Sequence, residues 1–456
     1  MATPSTDPEL ASVVVLGLGV TGRAVAEALV DRGVEVVVVD DHPSPALRAA
    51  AASLDVRLLE HPGASELAAA LSDADALLPS PGVPDRHPAF GAARRAGVPV
   101  LSEFDLARRW DDRPIVAVTG TDGKTTVTTM ITEMLDASGR RAVACGNTET
   151  PLVAAIAEPA TEVFVVEASS FRLGHSHRFE PDVAVWLNFA PDHLDVHESL
   201  HSYEQAKSRI FAGLEPGRGL AVANATDPVV MAHLDPELSA VTFGPAGSGA
   251  DATVVDGELR LPDGTALVAV DELPRALPHD VDNALAASVA ALAAGAELDA
   301  ARDVLRRFGG LPHRVQLVAE VDGVRWYDDS KATTPHATLA AVAGFDSVVL
   351  VVGGRNKGLD LSALAGAVPP VRAAVAMGEA ADQVAEVLAG RCDVRLVTTD
   401  MEAVVATADE LSEPGDTVLL SPGCTSFDWF GSYAERGDAF TAAVRARLHT
   451  GEVAPS

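Results

Sequence analysis

The chain of 456 residues carries 65 acidic and 34 basic side chains, which gives a formal net charge of −31. This charge disfavours nucleic acid and anionic membrane surfaces as partners, so any phosphate must be held by a local site. With 48% hydrophobic but only 4% aromatic residues, the chain can fill roughly three cores of about 150 residues each.

The cysteines and the first residues of the chain indicate the compartment. Three cysteines without metal-ligand spacing (Cys145, Cys392 and Cys424) are typical of a reducing environment. Residues 1–9 show no basic segment followed by an apolar core, and no apolar run is long enough to span a bilayer. We therefore expect a cytoplasmic protein without membrane insertion.

The first motif follows an apolar strand at residues 12–16. Residues 17–22 read Gly-Leu-Gly-Val-Thr-Gly and open a helix, and a second strand at 34–39 ends at Asp40. This is the dinucleotide fingerprint, which by itself predicts a nicotinamide-dependent oxidoreductase. Glycines at such a turn admit any diphosphate, however, so the ligand stays open. A further turn, Ser-Pro-Gly at 80–82, follows another strand.

The second motif is a phosphate-binding loop. A β-branched strand at 115–118 leads to Gly120 and Gly123, and then Lys124 and Thr125 open a helix. Backbone N–H groups at a helix N-terminus favour an anion, while the lysine can reach phosphates and the threonine hydroxyl a magnesium ion. The alternative is an ordinary tight turn.

Lysine is rare in this chain and falls within motifs. Of the 34 basic residues only four are lysines, namely Lys124, Lys207, Lys331 and Lys357. Because arginine is otherwise preferred, these positions are candidates for a compact point charge or for an amine that can lose its proton. The alternative is that four lysines are scattered over the surface.

Further polar residues follow predicted strands of the middle region. Glu167 ends a buried strand, where a magnesium-binding carboxylate belongs, although an edge glutamate that faces water is the alternative. Four ionisable groups crowd residues 188–197, and Lys207 lies on an amphipathic helix at 203–211. The Ala-rich stretch at 279–301 is predicted to be helical, with Asn283 near its start.

The order strand, helix, strand continues to the end of the chain. It predicts an α/β protein with three domains, each with a mainly parallel sheet. The domains are a Rossmann-like N-terminal domain (1–110), a P-loop-type central ATPase domain (111–310) and a Rossmann-like C-terminal domain (311–456).

The ordered motifs resemble those of the Mur ligases, the ATP-dependent amide-forming enzymes of peptidoglycan synthesis, over nearly the whole chain. The first and last motifs are most similar to those of the members that add D-glutamate. The motifs are Gly-x-Gly-x-Thr-Gly at 17–22, Ser-Pro-Gly at 80–82, Gly-Thr-x-Gly-Lys-Thr-Thr at 120–126, Glu-x-Ser-Ser-Phe at 167–171, Asp-His-Leu-Asp at 192–195, Ala-Lys-x-x-Ile-Phe at 206–211, His-Arg at 313–314, Asp-Ser-Lys-Ala-Thr at 329–333, Gly-Gly at 353–354 and Leu-Ser-Pro-x-x-x-Ser-Phe-Asp at 420–428.

The resemblance implies a reaction in cytoplasmic peptidoglycan precursor synthesis. ATP would phosphorylate the carboxylate of UDP-N-acetylmuramoyl-L-alanine, and the amine of D-glutamate would displace phosphate from the acyl phosphate. The three domains would bind the UDP-sugar, ATP and the amino acid in that order, in a monomer whose third domain closes over the second. Rival readings are a glutamate-adding ligase with another acceptor or L-glutamate, a nucleotide-binding switch, and the nicotinamide oxidoreductase.

The resemblance also implies site residues. Catalytic roles fall to Lys124, Glu167, His193 and Lys207. ATP contacts fall to Gly120, Thr121, Asp122, Gly123, Lys124, Thr125, Thr126, Asn283, Arg314 and Asp329. Substrate contacts fall to Leu18, Thr21, Asp40, Asn147, Ser169, Lys331, Thr333, Lys357, Ser421 and Phe427. Two Mg²⁺ ions would be held by Thr125, Glu167, His193 and Lys207, the last as a carbamate.

The sequence departs from the family pattern at a few positions. Where the family usually has Asn, this chain has Asp122, Asp280 and Thr334. Residues 147–149 read Asn-Thr-Glu in place of Asn-Ile-Gly, and 355–356 read Arg-Asn in place of an acidic pair. None of these changes removes an obvious chemical role.

Overall fold

A computed structural model describes residues 10–193 and 196–449 of the chain. Its first sheet has four parallel strands in the order β3-β2-β1-β4. The elements of this part are β1 (Ser12–Leu16), α1 (Val20–Val30), β2 (Glu35–Asp40), α2 (Pro45–Ser53), β3 (Arg57–Glu60), α3 (Ala64–Ser72), β4 (Ala76–Pro79), α4 (Pro88–Ala96) and α5 (Glu103–Trp110).

The central part contains a six-stranded parallel sheet in the order β10-β9-β8-β5-β7-β6 and a small antiparallel sheet, β11-β12-β13. Its elements are β5 (Ile115–Thr119), α6 (Lys124–Ala137), β6 (Ala142–Gly146), α7 (Leu152–Ala155), β7 (Val163–Glu167), α8 (Ser170–Leu173), β8 (Val183–Trp186), α9 (Leu200–Ala212), β9 (Leu220–Asn224), α10 (Pro228–Ala232), β10 (Ser239–Phe243), β11 (Thr253–Val255), β12 (Glu258–Arg260), β13 (Ala266–Ala269), α11 (Pro278–Ala293) and α12 (Leu298–Arg307).

The position of β5 in this sheet fixes where ligands can bind. Every residue of β5 is buried. The strand lies between β7 and β8, and β6 lies on the far side of β7. Chain connections therefore diverge to both sides of β5, which opens a crevice at the carboxyl end of that strand. The phosphate loop follows β5 at this point. The helical stretch expected at 279–301 is confirmed, and it consists of α11 and the start of α12 with a break at Gly295 (φ 93°).

The third part has a six-stranded sheet in the order β14-β15-β19-β16-β17-β18, in which only the β14–β15 pair is antiparallel. Its elements are β14 (Gln316–Val321), β15 (Val324–Asp328), α13 (Pro335–Val342), β16 (Val348–Gly353), β17 (Val371–Met377), α14 (Ala381–Leu388), β18 (Asp393–Val397), α15 (Met401–Leu411), β19 (Thr417–Leu420) and α16 (Tyr433–His449). The predicted α/β class with mainly parallel sheets is confirmed.

The hydrophobic cores join the first two parts more closely than the third. One core contains residues of both the first and the central sheet, and the rings of Phe104 on α5 and Phe179 stack at 4.5 Å within it. The third part has cores of its own on both faces of its sheet. This packing suits a third domain that moves as a unit. The domain limits at 110 and 310 remain a prediction. Within residues 10–193 and 196–449, no helix is long and apolar enough to cross a membrane.

Candidate active site at the junction of three domains

The phosphate loop has the geometry of an anion site. Gly123 directly precedes α6 with φ 84°, and no side chain caps the N-terminus of this helix. A Cβ atom at Gly123 would lie 2.7 Å from Oδ1 of Asn283, so only glycine allows this close approach. The exposed N–H groups of α6 therefore face a space that the predicted ATP residue Asn283 borders.

A second asparagine, which the sequence analysis did not single out, holds the loop in shape. Oδ1 of Asn188 accepts hydrogen bonds from the backbone N–H groups of Thr121 and Asp122, each at 2.9 Å. The Thr121 hydroxyl in turn accepts from the backbone N–H of Ala190 at 2.9 Å. The loop after β8 is thus the support of the phosphate loop, and its place directly after a predicted strand was the available signal.

Two of the four lysines converge on one carbonyl oxygen. Nζ of Lys124 donates to the Gly120 oxygen at 2.9 Å, and Nζ of Lys207 donates to the same oxygen at 2.6 Å. Lys207 is 1% exposed. Burial, followed by the nearby charge of Lys124, lowers the pKa of Lys207 well below its usual value. Glu204, which lies three residues before Lys207 on the same helix, is paired with His233 at 2.7 Å.

Glu167 ends β7 beside this loop, and it is buried, not water-facing. Its side chain is 3% exposed, and Oε1 accepts a hydrogen bond from Nδ2 of Asn147 at 2.9 Å. Oε2 is buried without a hydrogen-bond partner. An unpaired buried carboxylate oxygen is costly unless a ligand satisfies it, so this oxygen fits a magnesium ligand. In the described parts of the chain, no group of three His, Cys, Asp or Glu side chains forms a metal site by itself.

His193 lies in the loop that follows β8. Its backbone is in the left-handed region (φ 55°), which is uncommon for a residue other than glycine. Burial and the charges of the surrounding lysines lower the pKa of His193 to about 4, although the charge of Asp192 acts to raise it. The imidazole is therefore neutral at pH 7 and can accept or ligate. Leu194 and Asp195, from the same predicted motif, lie outside the described residues.

The third domain is closed over the central domain. Nη2 of Arg314 donates to the Thr125 hydroxyl at 3.0 Å. Nζ of Lys357 lies 2.5 Å from Oδ1 of Asp192. Because both contacts join residues more than 160 positions apart in the sequence, they are made only when the domains meet. Thr125, Arg314 and Lys357 are predicted site residues, and Asp192 belongs to the predicted Asp-His-Leu-Asp motif.

A third contact across the same boundary involves a residue that the sequence analysis missed. Nδ1 of His336 lies 2.7 Å from Oδ2 of Asp122 in the phosphate loop. This hydrogen bond raises the pKa of His336 above its usual value. Burial acts to raise the pKa of Asp122, but the His336 contact and nearby positive charges hold it below its usual value. His336 lies two residues after the Thr334 that caps α13, and only this capping position was visible in the sequence.

Ser421, a predicted amino-acid contact of the third domain, is buried beside Asp329, a predicted ATP contact. The Ser421 hydroxyl donates to Oδ2 of Asp329 at 2.7 Å. Burial, opposed by this hydrogen bond, raises the pKa of Asp329 to about 7. Nζ of Lys331 lies 3.7 Å from the ring centre of Tyr433, and burial lowers the pKa of Lys331. Phe427 is 60% exposed.

A cavity of about 240 Å³ lies between the central and third domains. Its walls bring together most of the predicted ATP residues with Lys331, and Thr333 is half-buried in the adjoining segment. Asp280, which stands where Asn is usual, is held by an ion pair with Arg275 at 2.5 Å. The cavity is lined by residues that include Asp122, Gly123, Thr126, Asn188, Asn224, Arg275, His279, Asp282, Asn283, Arg314, Asp329, Lys331 and His336.

The predicted nucleotide-sugar residues lie where the first and central domains meet. Oδ2 of Asp40 accepts a hydrogen bond from the backbone N–H of Leu18 at 3.1 Å, which holds the glycine-rich turn beside the end of β2. Thr21, Asn147 and Ser169 are connected through Arg172, a further residue that the sequence analysis missed.

A larger cavity, of about 490 Å³, opens beside these residues. Its walls combine the Ser-Pro-Gly turn of the first domain with α8, α9 and the His193 loop region of the central domain. Leu18, Thr21 and Asn147 are not among its lining residues. The lining includes Ser80, Gly82, Phe90, Ser170, Phe171, His175, His197 and Arg209.

This arrangement defines a three-domain nucleotide-dependent enzyme whose phosphate loop is covered by a closing domain. Three family models match the chain in order. They are the Mur ligase MurD-like N-terminal domain at residues 11–102, the Mur ligase middle domain at 118–291 and the Mur ligase glutamate ligase domain at 313–424. The chain therefore belongs to the Mur ligase family, and the predictions of family and of a ligase are confirmed.

Relatives that share one name match nearly the whole chain. A UDP-N-acetylmuramoylalanine–D-glutamate ligase from Frankia casuarinae is 44% identical, over 95% of this chain and 94% of the relative. The enzyme of that name from Nitrosococcus oceani is 37% identical over 98% and 100%.

Solved structures share the fold at lower identity. The UDP-N-acetylmuramate–alanine ligase of Thermotoga maritima matches with a TM-score of 0.58 at 19% identity, over 96% of this chain and all of that one. A pseudomurein peptide ligase of Methanothermus fervidus matches with a TM-score of 0.55 at 17% identity, over 90% and 96%.

Proposed function

We propose that this ligase joins D-glutamate to the carboxylate of UDP-N-acetylmuramoyl-L-alanine and converts ATP to ADP and phosphate. The observation that carries the proposal is the closed cleft itself. Arg314 and Lys357 of the third domain reach Thr125 and Asp192 of the central domain. The phosphate-loop residues Asp122 and Gly123 and the third-domain cation Lys331 line one cavity. Glu167 ends β7, the strand that pairs with β5 before the loop.

The first chemical step needs positioning and positive charge more than covalent help. The N–H groups of α6 and the Lys124 ammonium hold the transferred phosphoryl group. A carboxylate oxygen of the acceptor attacks it in line, and ADP leaves. Thr125, Glu167, His193 and Lys207 would hold Mg²⁺, which when bound neutralises charge on the phosphate oxygens.

The second step forms the amide. The neutral amine of D-glutamate attacks the acyl carbon of the mixed anhydride, a tetrahedral intermediate forms, and inorganic phosphate leaves as the amine loses its proton. Lys331, Thr333, Lys357 and Ser421 are proposed to hold the two carboxylates of the amino acid. In the structure the Ser421 hydroxyl donates to Asp329. A protonated Asp329, whose pKa is raised to about 7, would donate to the Ser421 oxygen instead and free the hydroxyl proton for a substrate carboxylate.

We also propose that Lys207 is carbamylated. Its amine is fully buried and its pKa is lowered by burial, so a neutral fraction is present at pH 7. The nitrogen lone pair adds to the carbon of CO₂ and one proton is released, which leaves an anionic carbamate. Two Mg²⁺ ions, a monomeric state and a cytoplasmic location complete the proposal.

Phosphate release with defined substrates tests the function. ATP, UDP-N-acetylmuramoyl-L-alanine and either D- or L-glutamate are mixed with the enzyme, and the product is identified by mass. We expect release and a product only with D-glutamate. Turnover with L-glutamate, or only with another acceptor, would assign the enzyme to a different branch of glutamate-adding ligases.

A further inference from the structure

A buried arginine joins the first and central domains. Arg172 lies on α8 and is 6% exposed. Its Nε donates to Oε1 of Glu103, its Nη2 to the hydroxyl of Thr21 and its Nη1 to Oδ1 of Asn147, each at 2.9 Å. One guanidinium therefore contacts α1, α5 and the residue after β6.

These contacts fix which way the Asn147 amide points. An arginine side chain has only donors, so the amide oxygen of Asn147 must face Arg172. Its NH₂ group then faces Oε1 of Glu167, to which it donates at 2.9 Å. A reversed amide would place an oxygen against the carboxylate and a donor against the guanidinium. The orientation that results leaves Oε2 of Glu167 as the oxygen without a partner.

The ion pair beneath this arrangement is deeply buried. The side chains of Arg172 and Glu103 are 6% and 2% exposed. The second oxygen of Glu103 accepts from the backbone N–H of Val153 at 2.9 Å. Lysine could keep the charge but not the planar fork that reaches three acceptors at once. The substitution Arg172→Lys therefore keeps the charge but removes the hydrogen-bond geometry.

We propose that Arg172 is a positioning residue. By fixing the Asn147 amide it presents a free oxygen of Glu167 beside the phosphate loop. Through Thr21 it also couples that oxygen to the nucleotide-sugar site. The inference rests on the proposed function, because it takes Glu167 as a metal ligand and Thr21 as a nucleotide-sugar contact.

The test measures metal binding without turnover. Mn²⁺ serves as the probe, with a non-hydrolysable ATP analogue, and free Mn²⁺ is counted by electron paramagnetic resonance with and without UDP-N-acetylmuramoyl-L-alanine. In the unchanged enzyme, we expect the acceptor and the metal to raise each other's affinity by the same factor. Arg172→Lys should lose about 10–100-fold in Mn²⁺ affinity, as for other residues that orient metal ligands, and should lose the coupling.

Glu103→Gln is the matched control. It removes the charge of the ion-pair partner but keeps the bonds from Arg172 to Asn147 and Thr21, so it should lower the melting temperature while Mn²⁺ affinity and coupling stay close to the unchanged enzyme. If Arg172→Lys does not fold, the double variant Glu103→Gln/Arg172→Gln, which buries no charge, takes its place.

Two results would overturn the proposal. One is Arg172→Lys with unchanged Mn²⁺ affinity and coupling. The other is Glu103→Gln and Arg172→Lys that lose affinity equally, which would show a structural role alone. If the unchanged enzyme binds Mn²⁺ with the analogue but not the UDP-sugar, the proposed acceptor and the coupling both fail, whereas the Mn²⁺ comparison still decides whether Arg172 orients Glu167.

Discussion

Replacement of Lys207 should separate activity from stability. Nζ of Lys207 donates to the Gly120 oxygen at 2.6 Å and lies 4.8 Å from the ring centre of Tyr203. Loss of a hydrogen bond from a charged group costs about 1.5–3 kcal/mol. A methionine of similar length also removes the cost of burying the Lys207 charge, and exchanging a whole buried ion pair for apolar side chains is often neutral or stabilising by about 1–4 kcal/mol. For Lys207→Met these terms offset, so we expect a melting temperature within a few degrees of the unchanged enzyme.

Activity should behave differently. A lost metal ligand lowers activity by about 10–100-fold or more, so Lys207→Met, Lys207→Ala and Lys207→Arg should all be nearly inactive. Arginine keeps a positive charge but cannot form a carbamate, because its guanidinium stays protonated. Formate or acetate should partly restore Lys207→Ala by supplying a carboxylate in the vacated space.

The assay is steady-state phosphate release, with and without carboxylates and in buffers depleted of CO₂. Bicarbonate should restore the unchanged enzyme after depletion. Glu204→Gln, on the same helix but paired with His233, is the control and should keep its activity. An active Lys207→Arg would refute the carbamate and leave Lys207 as a simple cation.

Three further predictions concern closure and ligand choice. The pKa of His336 is raised by Asp122, so their contact favours closure below the usual histidine pKa and is lost as pH rises through the raised value. Small-angle scattering with an ATP analogue should therefore show a more compact enzyme at pH 6 than at pH 8.5, and His336→Gln should remove this difference. Lys357→Met should raise the KM for D-glutamate about tenfold, the effect of roughly 1.4 kcal/mol, and change the KM for ATP less. Calorimetry should detect UDP-N-acetylmuramoyl-L-alanine but not NADH, and micromolar NADH binding would contradict the proposed acceptor.

The sequence analysis predicted that residues directly after parallel strands lie close together. Apolar runs such as the one before Gly120 are buried on both faces of a parallel sheet, so their ends meet at one edge. Glu167 and the phosphate loop are neighbours for this reason. The burial of Glu167 and of Lys207 agrees with the interpretation that these side chains do not face water.

Contacts between distant parts of the chain could not be predicted from local patterns. Arg172 is a single arginine among many on a short helix, and its partner Glu103 lies 69 positions earlier. Asn188 and His336 likewise act on the phosphate loop through pairings that only the folded chain creates. The helical prediction for 279–301 did not locate the break at Gly295, because alanine-rich flanks have high helix propensity and hide one left-handed residue.

The rare lysines acquire a common explanation in the folded chain. Three of them, Lys124, Lys207 and Lys357, lower the pKa of His193 together with its burial. The fourth, Lys331, has its own pKa lowered by burial and by Arg314, the residue that contacts Thr125. Like charges held this close repel one another in the absence of an anion. In a chain with a net charge of −31, these lysines give the cleft a local positive charge that attracts anionic substrates. Because the third domain brings Lys331 and Lys357 with it, we expect anionic substrates in the cleft to favour closure.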